Sequence, residues 1–334
     1  MRKPDSPKQS PLQRPNGDKE ALIANVAMLY YGEGMTQGEI AKRVKVSRAT
    51  IVNMLRESRE RGIVQIRIEG KALSGSNLAR ELREKFGLVD VYVARTDPDP
   101  DMPPNPVEPG QALRQVARVA AMAFLDILEP NDRVGIAWGE TILAVSNEMP
   151  HSFSENIEVC QLIGSMNSTR VPASETCAIQ IANKLGARCY TLHAPAIVAN
   201  SDLAHVFRTE PTISTQLDRL NALDLTMASI GDVSDGTHLV AAGIATKAEI
   251  DAARNHGAAG VICCRYIDAN GQALHLAPDD RVIAASVNTL RAARKRLLIV
   301  CGVNREKATR AAISGGLVTH LCLDETLGAR LLAE

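Results

Sequence analysis

Aromatic residues are scarce: Phe, Trp and Tyr together make up 3 % of the 334 residues, with a single tryptophan. A folded core must therefore be packed from Ala, Val, Ile and Leu, and the hydrophobic share of 45 % is enough for one. No apolar run reaches the roughly 18–20 residues that cross a bilayer. The opening "MRKPDSPKQSPLQRPNGDKE" lacks the apolar centre of a secretory signal. It reads as a disordered tail over residues 1–18, and the protein as cytoplasmic, without a membrane partner. No CxxC pair occurs. The seven cysteines (Cys160, Cys177, Cys189, Cys263, Cys264, Cys301 and Cys322) sit mostly in apolar runs such as "VICC" and "LLIVC", as buried free thiols do. The histidines form neither HxxxH nor HxH, so no metal site is expected. There is no GxGxxG after a strand and no GxxxxGK followed by Ser or Thr, so nucleotide binding has no support and no cofactor is expected.

Net charge is absent overall but not locally. Residues 1–75 hold 14 Lys/Arg against 8 Asp/Glu, and the rest holds 24 against 30. A basic front on an acidic body indicates that only the front meets a polyanion. The length itself favours more than one folded unit.

The front contains "MTQGEIAKRVKVSRATIVNMLRESRERGIVQIRIEG", Met35 to Gly70. Thr36 and Glu39 form a T-x-x-E capping box, so a helix starts near Gln37. "KVS" is a turn, and Ser47 can cap the next helix. In that helix Ile51, Met54, Leu55 and Ser58 share one face. Arg48, Ala49, Val52, Asn53 and Arg56 fall towards the other, and Arg48, Thr50, Asn53 and Arg56 are expected on one exposed face. A short helix with Arg and Asn near its N-terminus suits a DNA major groove. The DNA-contacting set is read as Gln37, Ser47, Arg48, Ala49, Thr50, Asn53 and Arg56. "GIVQIRI" alternates like a wing strand. A solvated hairpin without a DNA role is the plain alternative; the basic front weighs against it.

The organisation follows: a helix-turn-helix domain over 19–70, a Gly/Ser linker over 71–77, and a large domain over 78–334. In the latter, "VDVYVAR", "DRVGIAW", "IEVCQLIG", "ARCYTL", "DLTMASIG", "AGVICCRYID", "KRLLIVCGV" and "VTHLCLDE" read as single strands separated by helices, with a Pro-rich surface loop at Thr96–Gly110. Such apolar strands predict a mainly parallel sheet with both faces covered.

In that fold ligands bind beyond the carboxyl ends of the strands. The "WGET" turn presents Gly139, Glu140 and Thr141 at a helix start, against the plain reading of a capped turn. "GSMNS" offers Gly164, Ser165 and Asn167. Asp232 ends the strand of "IGDV", and Asp268 closes "RYID", although "DANG" there is a turn signal. Lys307 lies one turn into the helix after "CGVN". Trp138 can stack on a ligand or pack in the core.

The ordered set "MTQGEIAKRVKVSRATIVNMLRESRERGIVQIRI", "VGIAWGET", "CQLIGS", "APAIVANSDLAHVF", "ASIGDV" and "GVNREKATRAAISGGLVTHLCLDETLGARLL" resembles the SorC family of sugar-sensing bacterial transcription regulators, over about residues 20–334. The resemblance implies an α/β chain: an N-terminal helix-turn-helix plus a Rossmann-like, mainly parallel effector domain related in fold to sugar-phosphate isomerases and deaminases. It implies operator DNA and a sugar, polyol or sugar-phosphate effector as partners, a repressor of a catabolic operon, and a homo-oligomer, dimer or tetramer. Within the family the strongest likeness is expected to be to the regulators of erythritol catabolism. The chain departs where the family has Ser-Arg, here Val52 and Asn53, and where "GVICCRYID" lacks an Asp and a Gly of the family's loop. The rival reading is a sugar-phosphate isomerase or deaminase, which has no use for the DNA-binding front.

Overall fold

The computed structural model describes residues 16–64, 75–95, 110–166, 174–241, 245–276 and 279–333. Most of the expected tail, most of the wing strand, the linker up to residue 74, nearly all of the Pro-rich loop and Asn167 lie outside them. The chain divides into two compact units, Met1–Arg67 and Ile68–Glu334.

The first unit holds helices α1 (Asn16–Ala27), α2 (Gln37–Val44) and α3 (Arg48–Glu60), with a π-helical turn, Met28–Gly32, after α1. Helix α1 begins at Asn16, inside the stretch read as tail, because it extends one turn ahead of the first apolar residues. The capping box at α2 is formed: Glu39 N–H donates to Thr36 Oγ1 at 3.3 Å, and Thr36 N–H to Glu39 Oε2 at 2.8 Å. That hydroxyl holds the Glu39 carboxyl below its ordinary range. Lys45 ends α2 in the left-handed region, φ 57°, and Ser47 Oγ then accepts Thr50 N–H at 3.0 Å to start α3. Val26, Leu29, Ile40, Ile51 and Leu55 pack as one core. Each helix is too short to persist alone, and this shared apolar seam stabilises them together.

The second unit opens with α4 (Asn77–Phe86) and β1 (Asp90–Ala94), then α5 (Gln111–Ile127). There follow β2 (Arg133–Ile136), α6 (Glu140–Glu148), β3 (Glu158–Gln161), α7 (Glu175–Leu185) and β4 (Arg188–Tyr190). Next come α8 (Ser201–Thr209), α9 (Pro211–Arg219), β5 (Leu225–Ala228), α10 (His238–Ala241) and α11 (Lys247–Asn255). The chain continues through β6 (Ala258–Ile262), β7 (Arg265–Asp268), α12 (Val287–Ala292) and β8 (Lys295–Val300). It closes with α13 (Glu306–Ser314), β9 (His320–Asp324) and α14 (Glu325–Ala333).

Seven strands form one parallel sheet in the order β1-β9-β8-β5-β2-β3-β4. Apolar side chains such as Ile136, Ile142, Leu162, Ile181 and Leu298 fill its core. From β2 the chain steps outward to β3 and β4, then returns to the other side of β2 with β5. The reversal between β2 and β5 is where a doubly wound sheet opens a crevice at its carboxyl edge.

"AGVICCRYID" is not one strand. It is an antiparallel hairpin, β6 and β7, whose two turn residues Cys263 and Cys264 both have positive φ, 47° and 61°. Two left-handed residues are what a two-residue hairpin with the twist of its strands requires.

Candidate functional site

On α3, Arg48, Ala49, Val52, Asn53 and Arg56 are exposed, while Ile51, Leu55 and Ser58 are buried. Thr50 departs from the expected exposed set. It is half-buried, and its hydroxyl is hydrogen-bonded to that of Ser47 at 2.8 Å, so it completes the cap. Gln37, at the start of α2, accepts Arg48 Nε–H on its amide oxygen at 3.4 Å. Among the described residues Arg56 meets only Glu60, at 3.7 Å, an exposed pair of little energetic weight.

In the second unit the described residues of the carboxyl edge include the loops after β2, β3, β5 and β8. After β2, Gly139 takes φ 139°, a value only glycine adopts freely, and opens α6 without a side-chain cap. Glu140 is exposed and Thr141 is buried in the first turn. The backbone of Gly139 also hydrogen-bonds the Cys177 thiol, whose pKa burial nonetheless pushes up to about 11. Trp138 packs half-buried against the core.

After β3 the chain is tied down. Gly164 N–H donates to Ile283 O at 2.9 Å and Ser165 N–H to Ala194 O at 2.7 Å. A Cβ on Gly164 would lie 2.5 Å from Ala194 O. Ser165 Oγ donates to Glu175 Oε2 at 2.9 Å. The groups read from sequence as ligand donors at Gly164 and Ser165 are therefore spent on holding this loop. Two residues that sequence reading missed anchor it further. Buried Gln161 donates to Ser174 Oγ at 3.0 Å, and Ser174 to Gly164 O at 2.7 Å.

Asp268 is also engaged locally. Its Oδ1 accepts the N–H groups of Asn270, 2.9 Å, and Gln272, 2.8 Å. The carboxylate stabilises the turn that follows β7, outside the parallel sheet.

Asp232, after β5, is the group that stands out. It is 4 % exposed. Its Oδ2 accepts the Ser234 hydroxyl and Asn304 Nδ2–H, the latter at 3.3 Å. Its Oδ1 is buried with no hydrogen-bond partner among the described residues. A buried carboxyl oxygen left so is costly unless a polar group meets it. Asn304, unnoticed in the sequence, stands after β8, so this bond joins the β5 and β8 loops. Gly302 N–H donates to Asp324 Oδ2 at 2.7 Å, tying in the end of β9. Lys307 is exposed in the first turn of α13. Thr141 and Lys307 thus share the carboxyl edge, with β5 and its Asp232 between their strands. Among the described residues no group of three or more His, Cys, Asp or Glu is placed to hold a metal ion, and no helix is long and apolar enough to cross a membrane.

A sugar-binding domain family model, Sugar-bind, matches residues 72–333. The chain is 32 % identical to the uncharacterized transcriptional regulator YjhU of Escherichia coli (strain K12), over 93 % of this chain and 94 % of that protein. It is 25 % identical to the erythritol catabolism regulatory protein EryD of Brucella abortus (strain 2308), over 94 % and 97 % respectively. The crystal structure of the full-length sorbitol operon regulator SorC from Klebsiella pneumoniae superposes with a TM-score of 0.72 at 25 % identity, covering 93 % of this chain and 98 % of that one. With so much of its length matched, and with the same parallel α/β architecture, the chain belongs to the SorC-type family of sugar-binding transcriptional regulators.

Proposed function

We propose that the first unit binds operator DNA through the exposed face of α3, and that a sugar, polyol or sugar-phosphate held at the carboxyl edge of the second unit changes that affinity. The protein acts as a repressor of a carbohydrate or polyol operon, works as a homo-oligomer on repeated half-sites, and is a regulator rather than an enzyme. The observation that carries the reading is the division of α3, Arg48, Asn53 and Arg56 outward and Ile51 and Leu55 inward, in a chain whose remainder matches the sugar-binding domain.

The effector places a hydroxyl against the open oxygen of Asp232, which is buried without a hydrogen-bond partner among the described residues. Another of its oxygens meets the uncapped first turn of α6, with Thr141 beside it. Lys307 contributes only if that oxygen belongs to a phosphate. Asp232→Ala should weaken effector binding about tenfold, the value of one well-made hydrogen bond. Calorimetry with a ligand found by thermal-shift screening against sugars, polyols and their phosphates checks this. Unaltered binding in Asp232→Ala, Thr141→Val and Lys307→Ala alike would place the effector elsewhere.

A further inference from the structure

A second cavity, of about 260 Å³, lies beside the β6–β7 hairpin, at the start of α11. None of Thr141, Asp232, Asn304 or Lys307 lines it. Its walls are apolar: Ile197, Leu239, Val261 and Val282. Ile197 and Val282 are bridged to each other, so that side is fixed. Its polar groups are Glu249, Arg281, Thr246 and Tyr266.

Those polar groups have a definite balance. Arg281 Nη2 donates to Glu249 Oε1 at 3.1 Å. The other oxygen, Oε2, takes Thr246 N–H at 2.8 Å and its hydroxyl at 3.0 Å. Those bonds, the backbone one foremost, together with Arg281 outweigh burial and hold the Glu249 carboxyl below its ordinary range, so it is ionised. Burial and the Glu249 charge raise the Tyr266 phenol, which stays a neutral O–H donor. The pair is thus electrically balanced, with its acceptors largely used. Arg281 has spent one of the five N–H groups a guanidinium carries on Glu249.

A phosphate would find no excess positive charge here and a carboxylate close by. A neutral oxygen finds donors, and C–H groups find apolar walls. At about 30 Å³ per water, the space matches roughly nine waters, room for a molecule of about ten non-hydrogen atoms. We infer that this cavity is a separate binding site for a small unphosphorylated sugar with an apolar edge, of the deoxy or methyl class. The site abuts the cleft through two contacts: Val261 is paired with Gly231, next to Asp232, and the Cys264 thiol touches Met166 Sδ at 3.8 Å. Occupancy has a short path to the effector loops.

The experiment is calorimetric titration of the full chain with 2-deoxy-D-ribose, L-rhamnose and D-ribose 5-phosphate. Ala245→Phe fills the cavity; Arg281→Gln removes its charged donor and is the check should the first variant fail to fold. At least one neutral sugar should bind, about tenfold or more weaker in either variant, and within about twofold of wild type in Asp232→Ala. Any binding of D-ribose 5-phosphate should be unchanged by Ala245→Phe. Absence of neutral-sugar binding, or binding indifferent to both cavity variants, overturns the inference. Loss only in Asp232→Ala also overturns it, while leaving the effector cleft intact.

Discussion

Replacing Lys295 by Met should destabilise the large unit by roughly 3–5 kcal/mol, the cost of stranding a buried charge. Lys295, 7 % exposed, begins β8, and Asp132, 3 % exposed, immediately precedes β2. Lys295 Nζ lies 2.6 Å from Asp132 Oδ2 and 2.9 Å from Ile127 O. The pair reaches across the amino end of β5, where Lys295 N–H also donates to Asp224 O at 2.8 Å. It therefore locks together the three strands whose other ends carry the proposed effector site. Without the ammonium, Asp132 keeps Glu129 N–H at 2.8 Å and the exposed Arg294 at 3.7 Å. The latter is too well solvated to substitute. Urea unfolding followed by the fluorescence of Trp138, the single tryptophan, reads this unit alone. The double variant Asp132→Leu, Lys295→Met should recover most of the loss, because no charge is then stranded. A change below about 1 kcal/mol in the single variant would mean that water reaches the pair.

Arg48→Ala should cost ~1–3 kcal/mol in operator binding and relax the choice of one base. Arg48 is exposed at the first position of α3, yet its Nε–H is held by Gln37 at 3.4 Å. A guanidinium steadied on one edge keeps the other free for a bidentate contact. Gln37 is then a positioning residue, and Gln37→Ala should reproduce a smaller part of the loss. Arg56→Ala, if that side chain meets phosphate, should weaken all sequences alike and lower the slope of log K against log salt by ~1. Mobility-shift titrations over a salt series separate the two behaviours. Unchanged affinity for Arg48→Ala and Asn53→Ala together would dismiss α3 as the reading helix.

What the sequence made legible was local. Thr36 and Glu39 announce α2 because both partners of the capping box lie within one turn. Alternating apolar strands and helices announce the parallel sheet because burial on both faces demands continuous apolar runs. Two kinds of information stayed hidden. Turns made without their usual residues were one: Cys263 and Cys264 adopt positive φ with no Gly or Asn, so the hairpin read as one strand. Contacts between distant segments were the other. Nothing near Gly164 shows that Ala194 closes on it, nor that Gln161 and Ser174 pin its loop. Asn304 and Asp232 are 72 positions apart, and only the β8-β5 adjacency brings them together. The same holds for the second cavity, whose walls come from four separated stretches of chain. The candidate positions found with partners of their own, Thr50, Gly164, Ser165 and Asp268, share one cause. Small and polar residues serve turns and caps as readily as ligands, and only the partners in space tell which.

The central claim is coupling between the two units, and coupling must be reciprocal. The measurement is a pair of titrations on the full chain: operator affinity with and without saturating effector, and effector affinity with and without saturating operator. The account predicts sequence-selective DNA binding that changes by the same factor in both directions, about fivefold or more, and that vanishes in Asp232→Ala while DNA binding without effector persists. Selective DNA binding indifferent to every ligand that the second unit binds, or no selective DNA binding at all, would contradict it.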